Sequence, residues 1–286
     1  LEADLGEIIG FIGPNGAGKT TTLKMLSGIL YPTSGEIKVM DFVPYKREKK
    51  FLKQITFLSG QRSHLFWDLP AAEYFNFCRV VYDLPENFFR ENLKRLGRLA
   101  EIEDILHIPQ RKLSFGQRKR CELVAALLHD PRVIFLDEPT NALDLINARK
   151  IREFIKEKAR EGEHTVILTS HNIADIEQVC ERVVIINMGK IVYDGKIEDL
   201  SRLNGFKRKI RIFFRNNQDI ENVRRLGDVI RLEGQEVLLE VPSEKATQVA
   251  STIFSQFAVQ DIRIEDPPLE TIIEYIYQKK DEELFK

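Results

Sequence analysis

The sequence predicts an α/β core with an inserted helical subdomain, followed by a small C-terminal α+β domain. Continuously apolar runs alternate with helical patterns up to about residue 204, as in parallel strands covered on both faces. Between about 62 and 128 the apolar spacing is helical throughout. From 205 to 286, strand-like runs surround an amphipathic segment. We therefore expect two domains, 1–204 and 205–286.

The individual elements are predicted from apolar runs and their glycine or proline boundaries. The first domain should have strands at 6–12, 35–40, 55–60, 132–137, 164–170, 182–188 and 189–195, with helices at 19–30, near 144–160 and near 172–180. The second should have strands at 209–214, 228–234, 236–242 and 261–266, with helices at 244–257 and 268–278.

Composition limits the classes of function. The 43 basic and 44 acidic residues give a net charge of −1, so we expect no nucleic-acid partner. Because no run of eighteen apolar residues occurs, we expect a cytoplasmic chain whose membrane role comes through a partner. The three cysteines, Cys78, Cys121 and Cys180, are widely spaced, which indicates buried reduced thiols rather than a disulfide or zinc framework.

The segment GPNGAGKTT, here called the phosphate loop, matches G-x-x-x-x-G-K-[ST] in full between a predicted strand and a predicted helix. Glycines let backbone N–H groups turn toward phosphate oxygens, and the helix N-terminus adds a favourable dipole. Lys19 should reach the β- and γ-phosphates, and the Thr20 hydroxyl should ligate Mg²⁺. The candidate nucleotide-binding residues are Gly13, Pro14, Asn15, Gly16, Ala17, Gly18, Lys19, Thr20 and Thr21.

A pair of acidic residues closes the apolar run VIFLDEP. Asp137 lies at the carboxyl end of a predicted parallel strand, where open sheets place ligand groups, and its carboxylate suits Mg²⁺. Glu138 points elsewhere and could polarise an attacking water as a general base.

Four segments occur in a characteristic order and spacing: GPNGAGKTT, LSFGQ, LDEPTNALD and TSHN. With them the chain resembles the ATPase subunit of an ABC transporter over about residues 1–200. The resemblance implies a P-loop NTPase core in which two ATPase subunits, identical or related, meet head to tail on two ATP molecules. The LSFGQ segment, here called the signature segment, would close on the ATP of the other copy. Its contacting residues would be Ser114, Gly116 and Gln117.

Further positions match the family one by one. The resemblance implies that Gln61 senses Mg²⁺ and water, that Asp144 couples the two sites across the dimer, and that His171 contacts the γ-phosphate and orients the catalytic water. Phe115 replaces a glycine of the usual signature, which would be costly only if that position needed positive φ.

The family's adenine-stacking aromatic residue and upstream strands have no counterpart among the eighteen residues before Lys19. We therefore expect weak ATP binding by this sequence, since base stacking contributes roughly 1–3 kcal/mol in comparable contacts. Titration beside a version with a longer N-terminus tests this, and equal affinity would refute it.

Phe66 and Trp67 have two open interpretations. They either anchor the helical subdomain to the core or line the groove that receives a cytoplasmic helix of a membrane subunit.

Three functions are compared. The first is an ATP-hydrolysing subunit, peripheral on the inner face of the membrane, that drives a separate permease. The chain is similar to bacterial exporter-type ATPases in the segments GQRSHLFWDLP and RKLSFGQR and in having a C-terminal extension. The second is a soluble ATPase acting on ribosomes or chromosomes, but neither tandem cassettes nor long coiled coils occur. The third is a non-hydrolysing nucleotide switch, which the presence of Glu138 and His171 disfavours.

Overall fold

The computed structural model describes residues 1–60, 65–160, 164–200, 206–215 and 223–278. The chain divides into two compact units, Leu1–Gly195 and Lys196–Lys286. The division lies slightly before the boundary expected at residue 204. In the described parts of the chain, no helix has the length and apolar character needed to cross a membrane.

The first unit is built on one sheet. Its strands are β1 (Ile8–Ile12), β2 (Ile55–Ser59), β3 (Val133–Asp137), β4 (Thr165–Thr169), β5 (Arg182–Asn187) and β6 (Lys190–Lys196), in the spatial order β2-β3-β4-β1-β5-β6. The pairs β2–β3, β3–β4, β4–β1 and β1–β5 are parallel. All five residues of β3 and all five of β4 are buried, so these strands are covered on both faces, as continuous apolar runs require. The carboxyl ends of β1, β3 and β4 therefore meet at one edge of the sheet.

Helices follow the strands of this unit and form the subdomain between β2 and β3. The helices are α1 (Lys19–Leu26), α2 (Lys49–Leu52), α3 (Ala71–Val81), α4 (Glu86–Leu99), α5 (Phe115–Leu127), α6 (Leu145–Arg160) and α7 (Ile173–Val179). Among them α3, α4 and α5 make up the helical subdomain predicted near 62–128. The three cysteines are free and buried, as predicted.

Two predictions in this unit are wrong. The strand expected at 35–40 does not form, because Val39 pairs only with Phe42 across a turn in which Met40 has a φ of 53°. A strand needs a neighbouring backbone, and the described backbone gives this segment no further ladder. Helix α1 stops at Leu26 rather than residue 30, because Gly28 adopts a left-handed φ of 74° that ends the helix.

The second unit begins with α8 (Ile197–Leu200) and contains an antiparallel sheet of β7 (Lys207–Phe214), β8 (Asp228–Glu233), β9 (Glu236–Pro242) and β10 (Val259–Glu265), in the order β10-β7-β9-β8. Helices α9 (Ala246–Gln256) and α10 (Leu269–Gln278) complete its described part. Alternate side chains of β7 and β9, such as Ile210 and Leu239, are buried with those of α9. On the other face Arg211 pairs with Glu236 and Glu265, so that face is ionic.

Candidate functional site

The phosphate loop leaves the carboxyl end of β1 and enters α1 at Lys19. Gly16 and Gly18 have φ values of 81° and 108°, in the region that disfavours other residues. Gly13 is required for a different reason, since a Cβ there would lie 2.3 Å from the carbonyl oxygen of Ile186. The loop backbone thus has the tight curvature that directs N–H groups toward a phosphate.

The ammonium group of Lys19 lies across this loop. Its Nζ donates hydrogen bonds to the carbonyl oxygens of Gly13 at 2.7 Å and Pro14 at 3.1 Å. Burial lowers the pKa of Lys19, while the negative charges of Glu138 and Asp137 oppose that shift. A buried cation at the phosphate loop can form charge-assisted hydrogen bonds with the phosphates of a nucleotide.

Asp137 is the centre of a buried polar cluster at the end of β3. The Thr20 hydroxyl is 3.0 Å from both of its carboxylate oxygens, and the Thr169 hydroxyl donates to Oδ1 at 2.8 Å. Among the described residues no group of three or more His, Cys, Asp or Glu could hold a metal ion. The Thr20 and Asp137 oxygens nevertheless fit Mg²⁺, which is typically bound by one or two carboxylates together with substrate phosphates.

Glu138 and His171 face each other above this cluster. Glu138 Oε2 lies 3.5 Å from His171 Nδ1 and accepts a hydrogen bond from Asn141 Nδ2 at 3.1 Å. The Glu138 backbone has a φ of 54°, and its N–H donates to the backbone oxygen and the hydroxyl of Thr169. Such a conformation costs on the order of 1–3 kcal/mol and is common at functional sites.

The signature segment opens α5. Ser114 is exposed and forms a capping box with Gln117, in which its Oγ accepts from the Gln117 N–H at 3.2 Å and its N–H donates to Gln117 Oε1 at 2.8 Å. Phe115 occupies the first helical position without positive φ, so its replacement of glycine costs the backbone nothing. Gly116 is buried, and a Cβ on it would lie 2.3 Å from the Asn147 side chain.

Asp144 lies at the start of α6 and binds the same asparagine. Its carboxylate accepts from the backbone N–H of Asn147 at 2.9 Å and from the Asn147 side chain at 2.7 Å. These hydrogen bonds lower the pKa of Asp144. Asn147 therefore joins the predicted coupling residue to the signature segment of the same chain.

The candidate residues form two groups. The phosphate loop, Asp137, Glu138 and His171 lie at the carboxyl edge of the sheet. In the second group Gly116 and Asp144 both contact Asn147, and Ser114 and Gln117 cap the same helix, α5. The described residues show no hydrogen bond between the two groups. Gln61 lies outside the described residues.

Sequence reasoning assigned no role to three residues of these groups, Thr169, Asn141 and Asn147. Thr169 lies directly opposite Asp137 in the neighbouring parallel strand, so only the register of β3 and β4, which the sequence does not give, would have indicated it. No sequence pattern around Asn147 indicates its contact with Gly116, because the two residues lie on different helices, α6 and α5.

Known protein families and individual proteins are similar to this chain in sequence. The ABC transporter family model matches residues 1–141, and the model for the C-terminal domain of EvrA-like ABC transporters matches 206–265. The ABC transporter ATP-binding protein NatA of Bacillus subtilis is 32% identical over 200 residues, covering 70% of this chain and 81% of that protein. The bacitracin transport ATP-binding protein BcrA of Bacillus licheniformis is 34% identical over 200 residues, covering 70% of this chain and 64% of that protein.

A solved structure is similar over the same region. It is a dimer of an ATP-binding cassette in a post-hydrolysis state, bound to ADP and Pi. It matches with a TM-score of 0.61 and 26% identity, covering 68% of this chain and 88% of that chain. The predicted fold class is thereby confirmed.

Proposed function

Because the chain belongs to the family of ABC transporter ATP-binding proteins and is an ATPase, we propose that it dimerises head to tail on two ATP molecules and powers a separate membrane permease. The partner in the dimer is a second copy or a related ATPase subunit. The name of the relative BcrA, a bacitracin transport protein, supports export as the proposed direction. The chain would then lie on the cytoplasmic face of the membrane through its permease.

One observation carries the dimer proposal. Ser114 is exposed at the start of a thirteen-residue helix, and it has no hydrogen bond to the phosphate loop of its own chain among the described residues. A helix N-terminus leaves backbone N–H groups without helical partners and attracts anions. The exposed Ser114 hydroxyl and the N–H of Gly116 therefore suit the γ-phosphate of ATP bound by another copy.

Within each composite site the residues have distinct tasks. The phosphate loop surrounds the phosphates, and Lys19 neutralises the β- and γ-phosphates. Thr20 and Asp137 would hold Mg²⁺, which screens phosphate charge when bound, with Gln61 as a further ligand.

Catalysis would follow from the residues above that site. Glu138 accepts a proton from the attacking water, and His171, 3.5 Å away, orients that water and contacts the γ-phosphate. Asp144 would couple the two sites, since Asn147 links it to the signature segment. Loss of the γ-phosphate removes the ligand shared by the two copies and lets them separate.

Exposed aromatic side chains support docking of a permease on the helical subdomain. Trp67 is 56% exposed and Phe66 42% exposed, and Phe66 contacts Tyr74 and Phe77 edge-on. Side chains that anchored the subdomain would be buried, so this exposure favours the groove interpretation over the anchor. We expect Trp67→Ala to uncouple ATP hydrolysis from transport in membranes that contain the permease. Intact coupling would contradict this role, and co-purification from membranes would identify the permease.

Substitution of Glu138 tests the ATPase assignment. Glu138→Gln should abolish turnover and trap ATP in a dimer, because the amide keeps the shape of the side chain and cannot accept the proton. Size-exclusion chromatography with ATP and Mg²⁺ measures the dimer, and phosphate release measures turnover. The control is Glu153→Gln, an exposed glutamate on α6 paired with Arg149. Unchanged turnover in Glu138→Gln would refute the assignment of the base.

A further inference from the structure

A buried carboxylate joins the two loops that carry Glu138 and His171. Asp175, in α7, is 1% exposed. Its Oδ2 accepts hydrogen bonds from the Thr140 hydroxyl at 2.5 Å and the Ser170 hydroxyl at 3.0 Å. Its Oδ1 pairs with Arg152 of α6, whose side chain is also largely buried. No part of the proposed catalytic assignment uses this cluster.

The partners of Asp175 flank the two catalytic candidates. Thr140 lies two residues after Glu138, and Ser170 immediately precedes His171. The Ser170 hydroxyl also accepts a hydrogen bond from the Asn172 N–H at 3.0 Å, so Ser170 holds the backbone on both sides of His171. One carboxylate thus ties the loop after β3 to the loop after β4 beside the Glu138–His171 contact.

We infer that Asp175, held in place by Arg152, is a positioning residue that sets the distance between Glu138 and His171. The inference rests on the proposed roles of those two residues. Asp175 does not reach the reacting atoms, and its effect comes through the two hydroxyl groups it binds. Misplacement of a catalytic group by about 1 Å can lower turnover about 10²-fold, so a rigid buried connection at this point matters for turnover.

A purely stabilising role is the alternative, and α6 supplies a matched comparison. Lys158, on the same helix, is 1% exposed and pairs with Asp130 at 2.6 Å. The Lys158–Asp130 pair lies before the amino end of β3, whereas Glu138 and His171 follow the carboxyl ends of β3 and β4. Loss of either buried cation should destabilise the fold, but only the loss of Arg152 should disturb catalysis.

The test compares Asp175→Asn, Arg152→Met and Lys158→Met in the full chain. We measure kcat and KM for ATP with Mg²⁺, together with Tm, at a temperature where every variant is folded. Asp175→Asn and Arg152→Met should lower kcat by about 10²-fold with KM changed by less than about twofold. Lys158→Met should lower Tm and leave kcat unchanged. Arg152→Lys, which keeps the charge, should recover part of kcat.

A kcat of Asp175→Asn within about twofold of wild type would overturn the inference, as would a loss no larger than that of Lys158→Met. If Asp175→Asn does not fold, the same measurements on Thr140→Val test the inference, because this substitution removes one hydrogen bond to Asp175 and no charge. A lower kcat with unchanged KM then supports the inference, and unchanged kcat overturns it. Loss of turnover in Glu138→Gln without loss in Asp175→Asn would refute the positioning role alone, whereas retained turnover in Glu138→Gln would refute the assignment of the base.

Discussion

The hydroxyl of Thr169 should contribute more to stability and to turnover than an otherwise similar hydroxyl on the same strand. Thr169 is fully buried, donates to the Asp137 carboxylate at 2.8 Å and accepts from the Glu138 N–H at 3.0 Å. Thr165, at the other end of β4, donates to the Asp4 carbonyl at 2.9 Å and accepts from the Gly6 N–H at 3.2 Å. The two residues differ chiefly in the charge of the acceptor.

Replacement of each threonine by valine keeps the side-chain shape and removes the hydroxyl. Hydrogen bonds to charged groups contribute about 1.5–3 kcal/mol and neutral ones about 0.5–1.5 kcal/mol. Thr169→Val should therefore lower the free energy of unfolding of the first unit by about 1 kcal/mol more than Thr165→Val. Because Thr169 orients a proposed Mg²⁺ ligand, Thr169→Val should also lower turnover about 10–100-fold, while Thr165→Val should not.

Urea unfolding and phosphate release at saturating ATP provide the two measurements. Equal destabilisation by the two substitutions, together with equal turnover, would refute the assignment of Thr169 to the Asp137 cluster.

Two further predictions concern the loop and the dependence of stability on pH. Gly13→Ala should abolish nucleotide binding and lower Tm, because its Cβ would lie 2.3 Å from the Ile186 carbonyl oxygen. Gly16→Ala meets no atom within 4 Å and bears only the strain of a φ of 81°, about 1–2 kcal/mol, so its effect should be milder. Equal effects of the two substitutions on fluorescent-nucleotide titration and on Tm would contradict this. Burial lowers the pKa of His129 to about 4, so the unfolded chain binds this proton more readily and stability falls as pH drops below 6.5. Between pH 7 and pH 5 we expect a loss of about 2 kcal/mol through His129, measured by urea unfolding. His129→Gln should remove that part of the pH dependence, and an unchanged dependence would argue against the assignment.

Local motifs made much of the site predictable. The phosphate loop, Asp137 and His171 each follow an apolar strand, and parallel strands bring their carboxyl ends to the same edge. Spacing within each motif and this single rule of sheet architecture are enough to bring Thr20, Asp137 and Glu138 together.

Contacts between distant segments were not predictable in this way. The contact of Gly116 with Asn147 depends on how α5 packs beside α6, which no pattern within either helix encodes. The link from Thr169 to Asp137 requires the register of β3 and β4. The prediction of a strand at 35–40 was wrong for the same reason. Alternating apolar residues indicate which side chains would share a face, but they do not show whether a neighbouring strand is present to pair with.

Complementation between two inactive variants tests the composite site most directly. Lys19→Ala removes the phosphate-binding side of a site, and Ser114→Arg blocks the signature side. In a mixed dimer both defects fall in one site, which leaves the other site with an intact Lys19 and an intact Ser114. An equimolar mixture should therefore recover about a quarter of wild-type ATP turnover, because half of the dimers are mixed and each has one working site. A mixture as inactive as either variant alone would contradict the shared site.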